Sequence, residues 1–236
     1  MKASTVLSDL LERFNYGNTT LKEQDFARKP QIGISYPKME KIASNILAKS
    51  PIEFLETNDC SIYEMEILHT MVIGRLKDFE TAFNFFKSFA VVAKEWSVVD
   101  SLCQRFLIAK KHRWVVYDWL KEYAMADDEY QQRIVAVMLL SHFLVEEFIY
   151  PSIEMLIQLD NPGYYCKMAV AWAFATIMAK YPEKGFVVLR SNRLDAWTHN
   201  KAIQKTMESF RVSADIKECI EDRSVFKPRH LNLKML

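Results

Sequence analysis

The sequence predicts an all-α protein built as a superhelix, or solenoid, of stacked two-helix repeats. Three observations carry that expectation. Apolar residues recur at spacings of three and four through nearly the whole chain, the mark of helices with one buried face. Strand-like alternation is scarce, and 5 Gly and 7 Pro in 236 residues leave little punctuation for a many-turned sheet. Finally, Trp96, Arg133, Trp172 and Arg211 follow one another at intervals of 37, 39 and 39 residues. That interval suits helix pairs of the HEAT or armadillo type, each burying its apolar face on its neighbours.

The helices can be justified in order. The first spans about residues 4–16, with Val6, Leu7, Leu10, Leu11 and Phe14 on its apolar face. A polar stretch leads to Gly33-Ile34-Ser35-Tyr36-Pro37, and Pro37 fits the first turn of a helix reaching Ala48. Further helices are expected over 51–57, 61–75, 78–92, 95–108, 111–125, 128–145, 149–160, 162–181, 183–191, 195–210 and 213–223. The domain expected is a single one over 1–236, with a variable helical region at 1–32 and a basic tail at 224–236.

Composition bounds the function. A hydrophobic content of 50% in 236 residues is enough for a sizeable core. No apolar run approaches a membrane span and no signal-like pattern opens the chain, so a cytoplasmic, monomeric protein is expected. Cys60, Cys103, Cys166 and Cys219 are too dispersed for a metal or redox pair, and Cys103 and Cys166 read as small buried hydrophobes. The five histidines show no HExxH or Cys/His ligand spacing, so no metal is expected. No glycine-rich phosphate loop is present and no cofactor is expected. Net charge is +1, yet residues 184–236 carry eleven Lys/Arg against six Asp/Glu, which permits a basic surface there.

Trp96 and Asp100 stand four apart in EWSVVD and so share a helix face. Val98, Val99, Leu102 and Cys103 would pack behind them. Desolvation there raises a carboxyl pKa, while a guanidinium such as Arg133 lowers it. A structural Asp–Arg pair between repeats explains both residues as well as catalysis does. Trp172 fits a core helix or the border of a groove, where its ring would favour a cationic base or pack on a sugar. Lys167 precedes it by five residues. Lys201 and Lys205 share a face, with Arg211 within two turns and Asn200 adjacent. This cluster suits phosphates or a merely solvated helix.

Together, GISYPKM (33–39), EWSVVD (95–100), QRIVAV around Arg133, KMAVAWAF around Trp172 and NKAIQKTMESFRVS (200–213) resemble the AlkD-like DNA alkylation repair family. The resemblance runs from about residue 30 to 223. It implies a C-shaped stack of HEAT-like repeats with duplex DNA in its concave groove, and hydrolysis of the N-glycosidic bond of cationic purines such as N3-methyladenine and N7-methylguanine. It implies catalytic roles for Asp100, Trp96 and Arg133. DNA contacts would come from Trp172, with Lys167, Asn200, Lys201, Lys205 and Arg211 beside it. Because an alkylated purine is already a good leaving group, one carboxylate would suffice where most glycosidases use two. No deep pocket for a flipped base is expected in a solenoid groove. Three positions depart from the family pattern: Ser97 stands in place of its first acid, Gln132 replaces an Arg, and Ala175 stands where many members have Arg. Divergence of this kind leaves open a noncatalytic binder of damaged or branched DNA and, further off, a protein-binding scaffold.

Overall fold

A computed structural model describes residues 2–13, 29–191 and 193–221. The expected basic tail and the remainder of the 1–32 region, including Phe14 and Tyr16, lie outside the described residues. Among the described residues every regular element is helical, and the chain divides into two compact units, Met1–Ile108 and Ala109–Leu236.

In the first unit α1 (Ala3–Arg13) packs on α3 (Pro51–Thr57), while α2 (Tyr36–Lys49), α4 (Tyr63–Ile73) and α6 (Trp96–Arg105) lie side by side in chain order. The outer helices α3 and α5 (Phe79–Val92) pack against α4. This placement explains why α4 is buried all round, from Glu64 to Ile73. Helix α5 instead has a one-sided stripe of Phe79, Ala82, Phe83, Phe86, Phe89 and Ala90, with Val91 and Val92 left exposed. Phe83 and Phe86 meet Phe106 at ring-centroid distances of 6.1 and 4.5 Å.

The second unit repeats the scheme. Helices α8 (Glu129–Met138), α10 (Tyr164–Lys180) and α12 (Ala196–Glu208) stack in order. Around them lie α7 (Arg113–Ala124), α9 (Ile149–Gln158), α11 (Pro182–Arg190) and α13 (Ala214–Glu221). Alanines 169, 171, 173 and 175 of α10 are buried, and their small side chains allow its neighbours to approach from several sides. This repeated helix-on-helix packing is the HEAT-like arrangement that the recurrence predicts.

Helix boundaries follow local chemistry. Asp78, Glu95, Asp128 and Asp195 cap α5, α6, α8 and α12 by accepting from backbone N–H groups of the first turn. Two expected helices end differently. The 95–108 helix stops at Arg105 and passes into a 3-10 turn, Leu107–Lys111. The 128–145 helix widens after Met138 into a π turn, Leu139–Phe143, where Arg113 Nε takes the carbonyl of His142 at 2.8 Å.

The Gly33 segment is held from below. Glu64, 1% exposed, accepts from the N–H groups of Ile32 (3.0 Å), Gly33 (2.7 Å) and Ile34 (3.3 Å). Curling three successive donors round one carboxylate requires a left-handed turn, and Gly33 supplies it at φ +85°. Cys60, Cys103 and Cys166 are buried and Cys219 is exposed. Burial pushes the thiols of Cys60 and Cys166 up to about 12, as expected for inert core residues.

His69 gives this core a pH signature. It is 6% exposed, its ring lies 4.4 Å from that of Phe89, and desolvation lowers its pKa to about 4. The unfolded chain, with a histidine pKa near about 6.5, binds a proton that the folded state refuses. His69 therefore imposes no penalty above that pH and an increasing one as pH falls towards 4, reaching about 3 kcal/mol. In urea unfolding, His69→Gln is expected to lose less stability than wild type between pH 7 and 4.5. Equal losses in the two proteins would refute this.

Candidate nucleic-acid interface

Helix α6 positions the acid–indole pair. Its N-cap Glu95 accepts from Ser97 N at 2.7 Å and Val98 N at 3.2 Å, fixing the first turn on which Trp96 sits. Val98, Val99, Leu102 and Cys103 are fully buried, anchoring the opposite face as expected. One turn on from Trp96, which is 39% exposed, Asp100 is only 8% exposed. The pair thus combines an open aromatic surface with a carboxylate sunk beside apolar packing.

Around Trp96 the structure adds residues that spacing alone did not reveal. Lys29, Gln31, Tyr36, Tyr63, Glu95 and Ser97 join Trp96 to line a cleft of about 290 Å³. Ser97, at the position of the family's lost acid, hydrogen-bonds through Oγ to Glu95 Oε2 and to Tyr63 OH, the latter at 3.0 Å. Burial pushes the Tyr63 phenol well up; the bond to Ser97 opposes that rise, and a bond to Tyr36 reinforces it. A carboxylate therefore still marks the start of α6, at 95 rather than 97. Helices α2, α4 and α6 begin on Tyr36, Tyr63 and Trp96.

The remaining site residues belong to the second unit. Arg133, 4% exposed, donates through Nη1 to the carbonyl of Tyr165 at 2.6 Å. Four residues earlier on α8, Glu129 accepts from Tyr165 N and, at 3.3 Å, from Cys166 N. Helix α10 has Gly163 at its N-cap and so no cap of its own; Glu129 supplies one from the preceding repeat. A Cβ at 163 would meet the Glu129 carboxyl, so a larger residue there would push on the group that caps α10. Gln132, standing where the family has Arg, accepts from Asn161 N at 3.1 Å and donates to Ala126 O at 2.9 Å. It ties two loops together. Glu129→Ala is expected to destabilise the protein by about 1–2 kcal/mol, the usual cost of a lost cap, measured by urea unfolding. No change would refute the borrowed cap.

Trp172 lies midway along α10, half-buried, and Ala175 is buried one turn on. Lys167 is near the helix start, 3.6 Å from Asp195. On α12, Lys201 donates to Gln204 at 2.7 Å and lies 5.6 Å from the Trp197 ring centroid. Asn200 and Lys205 are half-buried on the same helix, while Arg211 is exposed beyond its end. Aromatic rings again mark the helix starts, with Tyr130 5.8 Å from Tyr165 and Tyr164 5.7 Å from Trp197. Among the described residues, no cluster of three or more His, Cys, Asp or Glu side chains could hold a metal ion. Nor is any described helix long and apolar enough to cross a membrane.

An all-α array of HEAT-like helix pairs, with an exposed indole above a buried carboxylate at one helix start, is the class of protein that fold and residues define. Residues 14–206 match the family model described as DNA alkylation repair enzyme, and the chain belongs to that family. None of the curated proteins matches the chain.

Proposed function

We propose that this protein is a DNA glycosylase of alkylation repair that hydrolyses the N-glycosidic bond of cationic alkylated purines, N3-methyladenine and N7-methylguanine, in duplex DNA. The observation that carries the reading is the Trp96–Asp100 pair on α6, within the span that matches the repair family. The purine leaves as a neutral base, so the chemical burden falls on the sugar, which develops oxocarbenium character. Asp100, as a carboxylate, stabilises that charge and orients a water towards C1′. Trp96 packs against the deoxyribose beside the lesion, and Trp172, on the second unit, contributes a contact to the DNA backbone. Arg133 supports the charge balance, and Lys167, Asn200, Lys201, Lys205 and Arg211 supply phosphate and backbone contacts. The test is single-turnover release of N7-methylguanine from duplex DNA by wild type and Asp100→Asn. Absence of release by wild type in excess over substrate removes the glycosylase reading.

One observation favours a second reading, in which the protein binds damaged or branched DNA without excision. Arg133 is buried against the Tyr165 carbonyl and Gln132 against interhelix loops, so both positions serve the fold. Intact, mismatched and branched duplexes titrated at two salt concentrations test it, because phosphate contacts strengthen as salt falls. No binding at low salt ends both readings and leaves a protein-binding scaffold.

A further inference from the structure

We propose that Arg75 and Arg105 form a clamp for one backbone phosphate of duplex DNA, with Glu40 seated between them as a built-in rival for the same cations. The inference rests on the DNA-binding part of the reading above and uses none of the residues assigned there. Three helices of the first unit supply the cluster. Arg105 Nη1 lies 2.7 Å from Glu40 Oε1, and Arg75 Nη2 pairs with Glu40 Oε2. Two guanidinium groups thus share one carboxylate, which leaves an excess of one positive charge. Close packing holds them there: a Cβ on Gly74 would meet Arg105 Cβ at 2.6 Å and Arg105 O at 2.7 Å. The end of α4 therefore lies directly on the end of α6.

The guanidinium groups are oriented but not saturated. Arg75 Nη1 donates to Ser44 Oγ at 3.1 Å, and Arg105 Nε donates to Ser101 Oγ at 3.2 Å. Ser101 is itself held by Thr70 Oγ1 at 2.7 Å. Among the described residues, Arg75 Nε and Arg105 Nη2 donate to nothing. The two side chains are 35% and 27% exposed, so those donors are within reach of a ligand. A planar fork of N–H groups fits two oxygens of a phosphate better than it fits chloride or water. Position agrees with charge. Ser44 follows Tyr36 by two turns on α2, and Arg105 follows Ser97 by two turns on α6. The clamp thus lies on the helix faces that start at the Trp96 cleft, about 12 Å further along. A duplex whose deoxyribose rests against Trp96 has backbone phosphates within that distance. Glu40 carries the same single negative charge as a phosphodiester. It holds the arginines together when DNA is absent and opposes the phosphate when DNA arrives.

Anisotropy titration of a short, unmodified duplex with the full chain, repeated across a salt series, tests the clamp. Arg75→Gln and Arg105→Gln are each expected to bind about tenfold more weakly at low salt and to reduce the salt slope by about one. Arg75→Lys keeps the charge but loses the fork, and should fall between wild type and Arg75→Gln. Glu40→Gln is expected to bind about threefold or more tightly, because the competing anion is gone. A brace that merely joins three helix ends makes the opposite forecast: lower urea midpoints in every variant and no gain of DNA affinity in any. Should an arginine variant fail to fold, Glu40→Gln decides alone, since loosened packing does not tighten DNA binding. Unchanged affinity and slope in both arginine variants overturns the proposal, as does affinity in Glu40→Gln equal to or below that of wild type. Absence of base release leaves this titration standing. Duplex binding by wild type that ignores both arginines sinks the clamp alone, whereas no binding by wild type at low salt sinks it together with the DNA readings above.

Discussion

Asp100→Asn is expected to slow single-turnover release of N7-methylguanine by about 100- to 1,000-fold, the loss that follows removal of one preorganised electrostatic partner of a transition state. The substitution preserves shape and hydrogen-bonding atoms but removes the charge that opposes the oxocarbenium ion. Affinity for unmodified duplex should stay within about threefold, because a buried side chain adds little to the salt-sensitive phosphate term. Release unchanged in Asp100→Asn, with wild type active, would move the chemistry to another group. Weakening of binding and release in equal measure would make Asp100 a binding residue.

The largest expected loss of stability is at Glu64. Replacing it by Ala strips the Ile32, Gly33 and Ile34 N–H groups of a shared acceptor, in a position where Ile32 and Ile34 are buried. A buried donor left unsatisfied costs about 1–3 kcal/mol, so two such donors place the effect at about 2–6 kcal/mol. Urea unfolding of Glu64→Ala should show a lowered midpoint. Glu64→Gln keeps one acceptor oxygen and should fall between the two. If both variants unfold like wild type, the clamp on the Gly33 segment contributes nothing to stability.

Much of the fold was legible because helices announce themselves locally. Pro37, one residue inside α2, and the apolar spacing of α5 and α10 need no knowledge of partners. The π turn at Leu139–Phe143 was not legible, because the local apolar spacing continues as one helix; in the structure its His142 carbonyl accepts from Arg113, 29 residues earlier. The Trp96–Asp100 pair could be read because both residues lie on one helical turn. Tyr36, Tyr63 and Glu95 could not be read as one cleft, since the stacking of α2, α4 and α6 brings them together from separate segments. Sequence also left Arg133 suspended between a structural ion pair and a catalytic role. Its bond to the Tyr165 carbonyl is a third use, fixed only when α10 packs on α8.

The cap that Glu129 lends to α10 has a consequence for how the second unit folds. In arrays of repeats, cooperativity is the ratio of coupling between neighbours to the stability of each repeat alone. A helix that finds an acceptor for its first N–H groups only on the previous repeat is poor at standing by itself, and its coupling term is correspondingly large. Formation of α10 therefore waits on α8, and fraying of one should propagate to the other. Hydrogen exchange at Tyr165 and Cys166 would then report the opening of α8 as faithfully as amides within α8 do.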